Sequence, residues 1–237
     1  MKAFLLAAGT GSRLRPLTDT VPKCMVPVDG RPLLDIWLDA LDRAGVHEVL
    51  VNLHHLPHAA SSYLEGRSGP PIVRTVFEPE LLGSAGTLVA NRAWVSDEEV
   101  FLVCNADNLT DFDLQLLLAA HRNHGGPATW ALFRSDEPWR CGIVELSPDG
   151  TVVGFVEKPT RPASNLANAG LYAFHPSVLD DVTGPLPQDI GCDLLPHLVG
   201  RAKGLELEGY FRDIGTPESY TLAQLEWPSR PVRTVPC

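Results

Sequence analysis

The chain has 237 residues, 44 % of them apolar and 20 % charged, and a formal net charge of −10. That length fits one large α/β domain or two small ones, and the apolar share excludes a disordered chain. The acidic balance argues against nucleic acid and anionic membranes as partners, so a polyanionic ligand must be held by a local basic cluster.

In chain order, Lys2–Ala7 reads as a short buried strand that breaks at Gly9, not as a signal peptide, and no apolar run reaches membrane-spanning length. Pro32–Ala44 has helical spacing, with Leu33, Leu34, Trp37, Leu38 and Leu41 on one face and Gly45 just past its end. Strands are expected at Glu48–Leu53, Ile72–Phe77, Val100–Cys104 and Thr129–Phe133. Helices are expected between them at His58–Leu64, Ser84–Ala93 and Asp113–His124. This alternation predicts a mostly parallel sheet covered on both faces.

After Arg134 the pattern changes. Gly142–Leu146 and Thr151–Glu157 flank Pro148-Asp149-Gly150, a hairpin turn. A strand at Ala169–Phe174, a helix at Cys192–Arg201, a last strand at Glu206–Tyr210 and a helix at Pro217–Glu226 complete the expected order. The second half therefore adds antiparallel strands to a parallel core. Residues 1–226 are expected to form the working domain and 227–237 an irregular proline-rich tail. Five irregularly spaced cysteines, Cys24, Cys104, Cys141, Cys192 and Cys237, form neither a CxxC pair nor a zinc spacing with histidine. Reduced thiols in the cytoplasm are the expectation. The five tryptophans suit either core or interface, which leaves a homo-oligomer open.

The most informative stretch follows the first strand. Ala8-Gly9-Thr10-Gly11-Ser12-Arg13-Leu14-Arg15 continues to Lys23-Cys24-Met25 and Pro27. Glycines let backbone N–H groups approach an anion, and Arg13, Arg15 and Lys23 add positive charge, a combination suited to a triphosphate. It is not a Walker A loop, which needs Gly-Lys-Ser/Thr. Nor is it a dinucleotide fingerprint, because Arg13 and Leu14 stand where the third glycine would fall. A triphosphate calls for a divalent cation, and Asp107 and Asp213, each just past an expected strand, are the candidate ligands for Mg²⁺. Taken singly, each reads as a cap or turn residue.

The whole stretch from Leu6 to Pro27 resembles the activation loop of the sugar-1-phosphate nucleotidylyltransferases, the NDP-sugar pyrophosphorylases. The run Leu82-Gly83-Ser84-Ala85-Gly86 and the segment Asp213-Ile214-Gly215-Thr216-Pro217-Glu218 look closest to the guanylyltransferases that act on mannose- or heptose-type 1-phosphates. The resemblance implies the three-layer, Rossmann-like mixed sheet of the nucleotide-diphospho-sugar transferase fold. It implies transfer of a nucleotidyl group from an NTP to a sugar 1-phosphate (hexose, heptose or cyclitol), with Mg²⁺ on Asp107 and Asp213. Ala8, Gly9, Gly11, Ser12 and Arg13 would bind the nucleotide, and Lys23 would hold its phosphates. Glu78 would read the base edge over Gly83 as a flat floor. Asn105, Gly142, Glu157, Lys158 and Asn168 would take the sugar phosphate, Lys158 at its phosphate and Glu157 at its hydroxyls. Seen alone, the Glu157-Lys158 pair reads as a solvated rim.

An ionised Glu78 only accepts hydrogen bonds, and guanine offers two adjacent N–H donors, so GTP is the expected nucleotide ahead of UTP and dTTP. Two positions depart from the family pattern: Ala106 stands where glycine usually precedes the metal aspartate, and Cys24 where proline is common. The resemblance runs from Met1 to about Glu226, so the C-terminal β-helical domain of longer relatives is not expected. Two other classes fit less well. A non-catalytic nucleotide-sugar-binding subunit would tend to have lost Arg13, Lys23 or an aspartate. A glycosyltransferase would use an Asp-x-Asp such as Asp111-Phe112-Asp113.

Overall fold

A computed structural model describes residues 1–227. The first strand, β1 (Lys2–Leu6), is followed by the basic loop and a two-residue hairpin, β2 (Pro27–Val28) and β3 (Arg31–Pro32). Then come α1 (Leu33–Arg43), β4 (Glu48–Leu53), α2 (Pro57–Gly66), β5 (Ile72–Phe77), α3 (Ser84–Ala90), α4 (Arg92–Val95) and β6 (Phe101–Asn105). The second half holds β7 (Asn108–Thr110), α5 (Leu114–His124), β8 (Ala128–Arg134), β9 (Gly142–Leu146), β10 (Val152–Glu157) and β11 (Leu166–Phe174). A π-helical turn at Ile190–Leu194, α6 (Leu195–Leu198), β12 (Ala202–Glu206), β13 (Phe211–Asp213) and α7 (Pro217–Glu226) close it.

The main sheet runs β10-β9-β11-β6-β1-β4-β5, with β8 joining β11 to β12. Strands β6, β1, β4 and β5 are parallel, while β11 is antiparallel to β6, β8 and β9. Side chains alternate across the sheet because successive Cβ atoms point to opposite faces. On β1, Ala3 and Leu5 enter the core layer shared with α1, while Phe4 enters the layer shared with α3 and α6. On β6, Leu102 and Cys104 take the first side and Phe101 and Val103 the second. Burial on both faces is what makes these strands read as unbroken apolar runs. No helix among the described residues is long and apolar enough to cross a membrane.

Three expectations need correction. The helix expected over Ser84–Ala93 breaks at Asn91, whose side-chain amide donates to the Thr87 carbonyl and competes with the helical ladder. The helix expected over Cys192–Arg201 starts earlier, in the π turn, and ends at Leu198. Pro196 cannot donate to an i−4 carbonyl, and Gly200, at φ 83°, ends the segment. The strand expected at Glu206–Tyr210 is two: β12 ends at Glu206, and β13 begins at Phe211 in a separate ribbon. That ribbon pairs β13 with β7, a strand the sequence pattern does not announce. The tail expected at 227–237 lies, beyond Trp227, outside the described residues.

Candidate active site

A cleft of about 910 Å³ opens at the carboxyl ends of β1, β4 and β6, where ligands gather in open α/β sheets. The β7–β13 ribbon builds its acidic side. Asn108 pairs with Asp213, and the Ile214 amide donates to the Asp107 carbonyl (3.2 Å), which sets the two aspartates side by side. The ribbon is held from beneath by Trp37 of α1, whose indole N–H donates to the Asn108 carbonyl (2.8 Å). From the other side, Arg212 donates twice to the Glu226 carboxylate of α7.

Lys23 lies between the aspartates. Its Nζ is 2.8 Å from Asp107 Oδ2 and 3.3 Å from Asp213 Oδ1, and its side chain is only 7 % exposed. Arg13 completes the group, 3.7 Å from Asp213 Oδ2, with most of its side chain open to the cleft. Two cations from the N-terminal loop thus meet two carboxylates from distant parts of the chain. The carboxylates are close enough to bind one ammonium jointly, so hard oxygen donors converge at one point. That donor set fits Mg²⁺, which binds through one or two carboxylates and completes its shell with phosphate oxygens and water. Among the described residues there is no group of three or more His, Cys, Asp or Glu that could hold a metal ion.

The loop itself divides in two. Ala8 and Gly9 line the cleft, and a Cβ added at Gly9 would meet nothing within 4 Å. Gly11 and Ser12, expected at the nucleotide, do not line it. Gly11 is a backbone device: its φ is +65°, and a Cβ there would lie 2.7 Å from Thr18 Cγ2. The turn Ser12–Leu14 it opens is what aims Arg13 into the cleft. Arg15, the third cation, pairs with Asp19 at the surface instead.

Glu78 and Gly83 both line the cleft, as expected for the base side, and both oxygens of Glu78 are already engaged by protein donors. Glu78 is 2 % exposed; Oε1 accepts from Asn52 Nδ2 (2.9 Å) and Thr87 Oγ1 (2.6 Å), and Oε2 accepts from the Leu82 amide (3.2 Å). Asn52 Oδ1 in turn accepts from the Ala7 amide (2.7 Å). The five residues form a largely buried polar network that ties the basic loop to the start of the Leu82–Ser84 segment. Gly83 is also fixed by packing: at φ +78°, an added Cβ would lie 2.2 Å from the Gln188 carbonyl oxygen. That same oxygen accepts from the Ala85 and Gly86 amides.

On the far wall lie Asn105, Gly142, Glu157, Lys158 and Asn168, all lining the cleft. Lys158 holds a positive φ of 44°, rare for a residue with a Cβ and a form of local strain that collects at functional positions. Its Nζ is 3.2 Å from Glu157 Oε1. Gly142 makes room for the Phe155 ring and the Glu157 carboxylate, which a Cβ would approach to 2.6 and 2.7 Å. The Asn168 amide donates to the Tyr172 hydroxyl (2.7 Å) and its oxygen accepts from the Gly170 amide, leaving one N–H to offer. Ala106 is buried and has no positive φ, so the departure from glycine carries no strain. Burial pushes the Cys24 thiol up to about 12, which makes it a packing residue. Asp111 Oδ1 accepts from the Tyr210 amide and Asp113 caps α5, so the Asp-x-Asp triplet is structural.

Sequence reasoning missed the segment Asp189-Ile190-Gly191, which also lines the cleft. Asp189 caps the π turn through Gly191 and Cys192 and accepts from Ser84 Oγ (2.8 Å). An aspartate followed by a glycine before an apolar run was the available signal. Trp139, about half exposed, is a cleft-wall residue on the turn Pro138–Arg140.

The sheet order and the place of the cleft define an α/β protein with a Rossmann-like mixed sheet. Residues 2–229 match the family model described as nucleotidyl transferase, and the chain belongs to that family. A similar protein is the mannose-1-phosphate guanylyltransferase catalytic subunit beta of Dictyostelium discoideum, 35 % identical over 225 residues, or 93 % of this chain and 62 % of that one. The chain spans between 60 % and 63 % of the length of such curated relatives. HddC from Yersinia pseudotuberculosis, complexed with GMP-PN, has 25 % identity and a TM-score of 0.80, covering 95 % of this chain and 99 % of that one. UDP-glucose pyrophosphorylase from Acinetobacter baumanii shares the fold at a TM-score of 0.83 and 21 % identity, covering 95 % and 92 %.

Proposed function

We propose that this chain transfers a nucleotidyl group from an NTP, with GTP preferred, to a sugar 1-phosphate, releasing pyrophosphate. The observation that carries the reading is the meeting of Arg13 and Lys23 with Asp107 and Asp213 at the mouth of the parallel sheet. A sugar-phosphate oxygen attacks the α-phosphorus, a new P–O bond forms, and the bond to the bridging oxygen of the pyrophosphate breaks. The nucleophile is already anionic near neutral pH, so the protein needs no general base, and its work is positioning and charge neutralisation. Arg13 and Lys23 hold the triphosphate and then the departing pyrophosphate. Lys158 offsets the repulsion between the two anions. Glu157 accepts from sugar hydroxyls, and Asn168 offers its remaining N–H. Asp107 and Asp213 would hold Mg²⁺, whose charge supports the α-phosphate in the transition state.

The preference for guanine rests on the relatives named guanylyltransferases and on the GMP-PN complex, not on Glu78. The same names favour mannose 1-phosphate as acceptor. The four cysteines among the described residues are free thiols, which supports a reducing compartment such as the cytoplasm. The test is a matrix of GTP, UTP and dTTP against mannose, glucose and heptose 1-phosphates, read by product mass. GDP-mannose formation is expected; no NDP-sugar from any pair, in the presence of Mg²⁺, would end the proposal.

A further inference from the structure

A second cavity, of about 900 Å³, lies at the other end of the same strands, where β6 and β8 begin and β11 and α5 end. Among the described residues its polar lining is His121, Arg122, His175, Ser177 and Arg201, with Glu99 as its one acid.

The hydrogen bonds beneath it determine where the ring protons sit. The Gly126 amide donates to His124 Nδ1 (2.8 Å), so a neutral His124 carries its proton on Nε2 and donates to Thr129 Oγ1 (2.6 Å). Thr129 is wholly buried, and its hydroxyl must donate. Its remaining partner is His121 Nδ1 (3.0 Å), which therefore accepts. His121 is left with a proton on Nε2. This side chain is 5 % exposed and lines the cavity, and its Nε2 has no partner among the described residues. Burial and the nearby His124, His175 and Arg122 hold the His121 ring down to about 4, so it stays a neutral donor. At the opposite wall, the Ser177 amide donates to His175 Nδ1 (3.2 Å), which puts that ring's proton on Nε2 as well. Arg122 forms no ion pair among the described residues. Arg201 shares one N–H with Asp181 (2.9 Å) and keeps the rest of its fork.

Two imidazole N–H groups and two guanidinium forks outnumber what the two oxygens of a planar carboxylate can accept. They suit the three or four oxygens of a phosphoryl group. We propose that this cavity is an anion site for a small phosphate-bearing molecule, held by His121, His175, Arg122 and Arg201. The proposal concerns binding alone and stands apart from the chemistry of the cleft.

The full chain, with ¹⁵N-labelled histidine, is titrated at pH 7 with inorganic phosphate and, separately, with pyrophosphate. Saturable shifts of the His121 and His175 ring signals are expected, and the tighter probe tells whether one phosphoryl group or two is preferred. Arg122→Gln and Arg201→Gln should each weaken that binding about tenfold, the worth of one charge-assisted contact, while turnover at the cleft is unchanged. Arg13→Ala, which abolishes turnover under the proposed function, should leave the same shifts in place. Rings that do not respond to either probe would overturn the site. So would shifts that survive both arginine substitutions or vanish in Arg13→Ala.

Discussion

Glu78→Gln changes one carboxylate oxygen to an amide nitrogen and leaves the shape alone. In the native network both oxygens accept, one from Asn52 and Thr87 and the other from the Leu82 amide. Whichever oxygen becomes an NH₂, it faces a donor that cannot turn away: the Leu82 N–H on one side, the Asn52 amide on the other. A buried donor left unpaired, together with the loss of a charge-assisted bond, costs about 2–3 kcal/mol. For a chain of this size that is a fall of about 5–10 °C in melting temperature. Because Asn52 also holds the Ala7 amide, turnover should drop by one common factor for every nucleotide, and the ratio of GTP to UTP use should not move. Thermal unfolding by circular dichroism reads the first effect, and kcat/KM for GTP, UTP and dTTP the second. An unchanged melting point with an altered GTP:UTP ratio would return Glu78 to the base edge and refute the structural role.

Arg13→Ala and Asp107→Asn should each lower pyrophosphate release by about two to three orders of magnitude, as expected for about 2–4 kcal/mol of lost transition-state contact. The exposed Arg13 substitution should not shift the unfolding curve, whereas Asp107→Asn, which removes a counter-charge of the buried Lys23, should lower it. Gly83→Ala should destabilise the fold by about 1–3 kcal/mol, since positive φ and the Gln188 carbonyl both oppose a Cβ; a neutral result in a thermal melt would contradict the packing described. Alkylation near pH 7 followed by mass spectrometry should label the exposed Cys192 and spare Cys24, whose thiol burial raises to about 12. His121 titrates at about 4 in the folded chain against about 6.5 when unfolded, so the unfolded state binds the extra proton first. Its contribution to stability is therefore present above pH ~6.5 and lost as pH falls towards 4. The stability gap between wild type and His121→Gln, from urea melts, should narrow over that window and stay constant above it.

The central parallel strands β1, β4 and β6 were legible because both their faces are buried, and Leu5, Val51 and Val103 leave little ambiguity; the edge strand β5 was legible from its β-branched residues alone. The basic loop was legible because Gly9, Arg13 and Lys23 are residue types that packing alone does not demand. What was not legible is held by contacts between distant residues. Asn108–Thr110 is too short and polar to announce a strand, and only its pairing with Phe211–Asp213 makes it one. Glu78 and Gly83 read as ligand residues and do line the cleft, but their second role was hidden: Asn52, Thr87 and Gln188, which hold them in place, lie elsewhere in the chain. Arg15 carries the same charge as Arg13, and nothing in its neighbours reveals that Asp19 takes it.

The pairing of Asn108 with Asp213 also dictates when in its life the molecule acquires an acidic centre. A polypeptide emerging from the ribosome has its glycine turn, its lysine and its first aspartate early, but the partner carboxylate arrives only with the closing three-residue strand. Until that strand docks, the ammonium of Lys23 faces one counter-charge instead of two. A product cut before Phe211 would keep most of the sheet, yet it would lack one of the two oxygen donors of the cleft.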